Sequence, residues 1–129
     1  MSKSFRIAAV DLNGQLRGKR VGADMAGKQM RMPLSVLNID IFGADIKDSP
    51  LVFESGDQDG IMAPAGREPI PLPWVAGDAS LDLCVMHNED GTPFAGDPRT
   101  ALSKVLNRFS DHGWHVIAAC ELEFFLLED

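Results

Sequence analysis

The 129-residue chain reads as an α+β protein. Three observations carry that reading. Short segments rich in β-branched and aromatic residues, punctuated by Gly, Pro and Asn, fill its first two thirds. Ala101, Leu102, Val105, Leu106 and Phe109 then recur at helical spacing. A long apolar stretch, Trp114 to Leu127, follows with the look of a strand.

Phe5 to Leu12 is the first predicted strand, and Gln15 to Val21 returns beside it. Asn13-Gly14 between them suits a two-residue hairpin turn, because both central residues need positive φ. Gly18, inside the returning strand, marks a bulge or a close backbone approach. Pro33 to Leu37 reads as a short helix with Pro33 in its first turn. Met25, Met30 and Met32 just before it read as adaptable core filler. Leu51 to Glu54 reads as a short strand, and Ser55 to Gly60 as a turn. Prolines 64, 69, 71 and 73 exclude a helix and allow only edge or short strands. Ser80 to Met86 is a strand with Leu81, Leu83 and Val85 on one face, and Asn88 to Pro93 is a loop. Asp97 is a good N-cap and Pro98 fits the first helical position. Gly113 stands where that helix should stop, giving a helix over about 98–112. The strand 114–127 has no evident partner in its own half of the sequence.

Composition narrows the function classes. The net charge of −7 argues against a general nucleic-acid binder, which needs a basic footprint. No apolar run approaches the ~18 residues of a membrane span, and the N-terminus lacks a signal-peptide stretch. Cys84 and Cys120 are too few for a disulfide scaffold or a Cys-based zinc site, so a reduced, cytoplasmic setting is expected. The charge is uneven: residues 1–31 carry a net +5 (Lys3, Arg6, Arg17, Lys19, Arg20, Lys28 and Arg31 against Asp11 and Asp24), and the remainder −12. Two differently charged faces of one domain account for this, as does a basic segment that meets an acidic surface.

Glu121 and Glu123 are the sharpest chemical feature. In a strand, residues i and i+2 share a face, so both carboxylates project together from apolar flanks. Mg²⁺ or Mn²⁺ relieves the repulsion, because hard cations prefer carboxylate oxygens. A solvent-facing acidic stripe has the same spacing, and two carboxylates do not specify a metal site by themselves. Asp57-x-Asp59-Gly60 opens like a calcium loop but lacks a third ligand and the Glu at the required offset. His87, His112 and His115 show no ligand spacing; His112 and His115 read as a helix cap and a surface residue. Gly14 to Lys19 lacks the spacing and the final Ser/Thr of a phosphate-binding loop.

The run Asp97-Pro98-Arg99, a leucine-rich helix, Gly113 and then Cys120-Glu121-Leu122-Glu123-Phe124-Phe125-Leu126 resembles the opening of the glutamine synthetase catalytic domain. Gly56 to Pro64 and Leu72-Pro73-Trp74 resemble the later part of that family's N-terminal β-grasp domain. Asp11 to Lys19 looks like its first hairpin, in the form of γ-glutamylpolyamine synthetase-like members. The resemblance implies a β-grasp-like domain over 1–95, followed over 96–129 by one helix and one strand of a truncated catalytic domain. It implies an ATP-dependent ligase that joins ammonia or an organic amine to the γ-carboxylate of glutamate through a γ-glutamyl phosphate. Glu121 and Glu123 then match two glutamates that bind separate Mg²⁺ or Mn²⁺ ions. Nucleotide and glutamate residues lie beyond Asp129, so the chain alone is expected to be inactive. The family's sites form between subunits, which implies a homo-oligomer in which the basic first hairpin faces an acidic neighbour.

Ammonia-type members carry Phe-Asp-Gly-Ser-Ser where this chain reads Phe42-Gly43-Ala44-Asp45-Ile46-Lys47-Asp48-Ser49. Counted without gaps back from Asp59 and Pro64, Asp45 falls at the aspartate that binds and deprotonates ammonium. Lys47 works against a small cation there, which leaves an organic amine as well as ammonia open as the acceptor. The plainer role for Asp45 is capping a turn after Gly43. The rival functional readings are a stand-alone β-grasp module that binds a protein by its sheet edge, and a small acidic metal-binding protein using Glu121, Glu123 and the Asp57/Asp59 turn.

Overall fold

The computed structural model describes residues 4–128; Lys3 of the basic segment lies outside them. Period-2 alternation organises the sheet. In β1 (Ser4–Val10), Ile7 and Ala9 join one apolar cluster, while Ala8 joins another on the opposite face. β2 (Leu16–Gly22) pairs antiparallel with β1, as the hairpin pattern predicts. β3 (Met30–Pro33), β4 (Asp59–Pro64), β5 (Ile70–Pro71) and β6 (Ala79–His87) complete a mixed sheet ordered β2-β1-β6-β4-β3, with β5 also against β6. β1 and β6 lie side by side and parallel; every other pairing is antiparallel. Few helices accompany the sheet: 3-10 turns at Ala23–Met25 and Leu34–Leu37, α1 (Pro50–Phe53) and α2 (Pro98–Asp111). The α+β class stands.

β6 is the central strand and is covered on both faces. Leu81 is buried against Leu72 and Ala79 with Leu83 half-buried beside it, the face the alternation predicts. The opposite set, Cys84 and Met86, is deeper still and meets Leu37 and Met62 in the main cluster. Met32 is buried there and Met30 packs at its margin, so these two are core filler, whereas Met25, half-buried in the first 3-10 turn, belongs to neither apolar cluster. Gly18 makes the close approach expected of it: a Cβ there would fall on the Ile7 carbonyl oxygen.

Four expectations need correction. The turn after β1 is not a two-residue turn. Asp11 and Gln15 still pair through Asp11 N–H to Gln15 C=O (2.9 Å), which leaves a three-residue loop with Gly14 at φ +76°. Leu51 to Phe53 belong to α1, not a strand; Pro50 presets the first helical φ, and Val52 and Phe53 donate back to Ser49. Pro33 ends β3 and caps the following 3-10 turn rather than lying inside it. Trp114 to Leu127 forms no strand. A strand is stabilised by the ladder it joins, and this stretch pairs with none of the described strands. The premise that Glu121 and Glu123 share a strand face therefore does not hold in this chain.

Candidate functional site

Two turns meet at the end of the sheet where β1 stops, and they are built alike. In Asp11-Leu12-Asn13-Gly14-Gln15, Asp11 N–H donates to Gln15 C=O and Gly14 N–H to Asp11 C=O. Asp11 Oδ1 accepts from the backbone of Asn13 and Gln15, both at 2.8 Å. In Asp40-Ile41-Phe42-Gly43-Ala44, Asp40 N–H donates to Ala44 C=O and Gly43 N–H to Asp40 C=O. Asp40 Oδ1 accepts from Phe42 and Ala44, both at 2.9 Å. Gly14 and Gly43 take the left-handed φ that closes each turn, +76° and +85°. Asn88-Glu89-Asp90-Gly91-Thr92 repeats the backbone pattern after β6, with Gly91 at +83°. Because β6 runs parallel to β1, this third turn lies at the same end.

The second turn carries Asp45. Ile39 and Asp45 form an isolated antiparallel bridge at its base. Asp45 is exposed, and so are Ile41 and Phe42 at the tip. The carboxylate that caps this turn is Asp40, not Asp45, so the plainer role for Asp45 is already taken by another residue. The Asx-x-x-Gly-x signature of all three turns was legible in the sequence and was obscured at the first by the Asn-Gly pair inside it.

Asp11 is the electrostatic centre of this end. Burial pushes its carboxyl up, but the Arg17 guanidinium at 2.8 Å and the amides of Gln15 and Asn13 outweigh that and hold it below its ordinary 3.8. Part of the basic N-terminal charge is therefore spent inside the chain. Arg17 serves Asp11, Arg31 pairs with Glu89 at 3.0 Å, and Lys19 Nζ donates to Arg31 C=O. Arg6 and Arg20 face one another directly across β1 and β2.

At the other candidate position, Asp97 begins α2 as expected. Its Oδ1 accepts from Arg99 N–H at 2.7 Å and Thr100 N–H at 3.4 Å. Its Oδ2 accepts from Met86 N–H at 2.6 Å, a tie between helix and central strand that local sequence does not reveal. α2 ends with His112 as C-cap and Gly113 at φ +72°, and His112 Nδ1 lies 2.8 Å from Arg108 C=O. Glu121 and Glu123 follow in the exposed segment after the helix. Their hard oxygen donors suit Mg²⁺ or Mn²⁺ in kind but are too few to enclose an ion. Among the described residues no group of three His, Cys, Asp or Glu side chains converges, at the Asp57/Asp59 turn or elsewhere. Asp57 instead accepts from the Ser35 hydroxyl at 2.5 Å. The structure does not bring Asp45 together with Glu121 and Glu123 into one described cluster. Among the described residues no helix is long and apolar enough to cross a membrane.

Known proteins supply the frame for these pieces. Residues 95–129 match the family model described as glutamine synthetase, catalytic domain. γ-Glutamylputrescine synthetase of Escherichia coli (strain K12) is 31% identical over 125 residues, 95% of this chain and 26% of that protein. Glutamate–isopropylamine ligase of Pseudomonas sp is 32% identical over 132 aligned positions, 98% of this chain and 28% of that protein. The chain thus spans about a quarter of the length of these curated relatives. A solved structure described as a novel glutamine synthase homolog superposes with a TM-score of 0.73 over 87% of this chain and 28% of that one. At 17% identity that likeness speaks for the fold alone. With relatives aligned along nearly its whole length and the catalytic-domain model covering its last 35 residues, the chain belongs to the glutamine synthetase family.

Proposed function

We propose that this chain is the N-terminal part of an ATP-dependent ligase that joins an organic amine to the γ-carboxylate of glutamate through a γ-glutamyl phosphate. The carrying observation is the alignment of two amine ligases, for putrescine and isopropylamine, over 95% and 98% of the chain. In this reading residues 1–95 are a β-grasp-like domain, a description supported by the parallel β1/β6 pair at the middle of the sheet. Residues 96–129 open the catalytic domain, supported by the family match. Cytoplasmic location and assembly as a homo-oligomer, with the basic first hairpin against a neighbouring subunit, belong to the same proposal.

Each residue then has a task. Asp45, exposed on a turn already capped by Asp40, is free to hold a cationic amine and accept its proton. Lys47 two positions on disfavours the small ammonium ion and suits a longer amine whose charge can sit away from it. Glu121 and Glu123 would hold Mg²⁺ or Mn²⁺, which neutralises phosphate charge and aligns the reacting oxygens. Their ion sites require donors outside this chain, so the 129 residues alone have no ligase activity.

The test is ATP-dependent formation of γ-glutamyl amide by the full-length ligase, read by mass spectrometry with putrescine, isopropylamine or ammonia. We expect a higher kcat/KM with an organic amine than with ammonia, and no product from the 129-residue chain. Glu121→Ala and Glu123→Ala should each lower kcat by roughly 10–100-fold or more while leaving the protein folded. Turnover by the short chain, exclusive use of ammonia, or wild-type kcat in both alanine variants at saturating metal would overturn the reading.

A further inference from the structure

We infer that Asn13 is a positioning residue that holds the Asp45 turn from outside. The inference rests on the reading of Asp45 as the amine-binding carboxylate. The turn needs such a hold. Its tip residues Ile41 and Phe42 are 79% and 88% exposed, so apolar burial reaches only its base, at Ile39. Its internal bonds fix its shape but not its place on the molecule. The anchoring comes from the first hairpin. Leu12 N–H donates to Leu37 C=O at 3.0 Å. Asn13 Nδ2 then donates to two successive carbonyls, Ile39 C=O and Asp40 C=O, each at 3.1 Å.

Those two carbonyls are the informative ones. Ile39 is the bridge partner of Asp45, and Asp40 is the residue that caps the turn. Asn13 therefore grips the bridge partner of Asp45 and the first residue of its turn together. Two acceptors facing one amide also fix that amide's orientation: the opposite flip would set Oδ1 against two carbonyl oxygens. Asn13 is itself held. Its N–H donates to Asp11 Oδ1 at 2.8 Å, and Asp11 Oδ2 receives Arg17 Nε at 2.8 Å. The path Arg17–Asp11–Asn13–Ile39–Asp45 runs from the base of the hairpin to the backbone that carries Asp45. It also gives Asn13 a purpose beyond forming its own turn, where the side chain has no part in the turn's backbone bonds.

Two variants and two readouts test this. Asn13→Ala deletes the donor, and Asn13→Asp keeps the shape but turns an acceptor toward two acceptors. In the 129-residue chain, both should raise amide exchange at Phe42 and Ala44 at least about tenfold, with the β6 amides unchanged. In the full-length ligase, both should raise the KM for the amine at least about fivefold, leaving the KM for ATP within twofold. Unchanged exchange at Phe42 and Ala44 would overturn the clamp. Faster exchange with an unchanged amine KM, in an enzyme where Asp45→Asn does raise it, would overturn positioning. An Asp45→Asn enzyme with unaltered amine KM would instead sink the Asp45 reading, and the functional half of this inference with it.

Discussion

Asp11 is a buried carboxylate whose surroundings in the fold favour its charged form. Its pKa is held below 3.8 because Arg17 and two backbone amides favour the charged form more than burial disfavours it. A carboxyl depressed in the folded state contributes stability above its unfolded pKa and loses it as the pH falls through the folded value. Asp11→Asn should therefore destabilise the chain at neutral pH, and the difference from wild type should shrink below 3.8. Urea denaturation of both proteins at several pH values checks this; a difference independent of pH would show that Asp11 acts through geometry alone. The neighbouring Asp45 teaches a different lesson. Its position on a turn was legible, but the sequence offers several aspartates within reach of that turn. Asp40 caps it through its own local Asx-x-x-Gly-x pattern; what folding adds is the placement of that turn against the first hairpin.

At the level of elements, helix α2 was the most legible part of the chain. Asp97, Pro98 and Gly113 each obey a local rule, and the helix runs Pro98–Asp111 as those rules require. What local rules miss is the second oxygen of Asp97, which accepts from Met86 N–H on β6. Asp97→Ala removes a cap, which costs about 1 kcal/mol. It also leaves the buried Met86 amide unpaired, which costs roughly 1–3 kcal/mol more. A loss of about 2–4 kcal/mol is expected from the urea midpoint, against a smaller loss for Asp97→Asn, which keeps an acceptor. Equal, small losses for both variants would mean that the tie to β6 contributes nothing. The short elements were less legible. Leu51-Val52-Phe53 has strand-forming residues, yet Pro50 at the first helical position outweighs propensity over so few residues.

For the molecule as a whole, the most telling property is apolar surface. Leu102, Val105, Leu106 and Phe109 keep helical spacing, yet they are 37–56% exposed. Phe124, Phe125, Leu126 and Leu127 are 78–94% exposed. Surface of this kind on one chain drives association. The 129-residue chain should self-associate at high concentration by light scattering, and Phe124→Glu with Phe125→Glu should reduce that association. A strictly monomeric wild-type chain would contradict the expectation. The sequence by itself determined the α+β class, the first hairpin, the capped helix and the family, because each rests on short-range signals: period-2 alternation, Asp-Pro at a helix start, Gly at its end, a contiguous motif. Tertiary structure alone decided which face of β6 lies deepest, where the Asp45 turn sits against the first hairpin, and that 114–127 is not a strand here. Those outcomes depend on partners distant in sequence. A strand exists only beside another, a face is buried only when something covers it, and a turn is placed by the residues, Asn13 among them, that the fold brings to it.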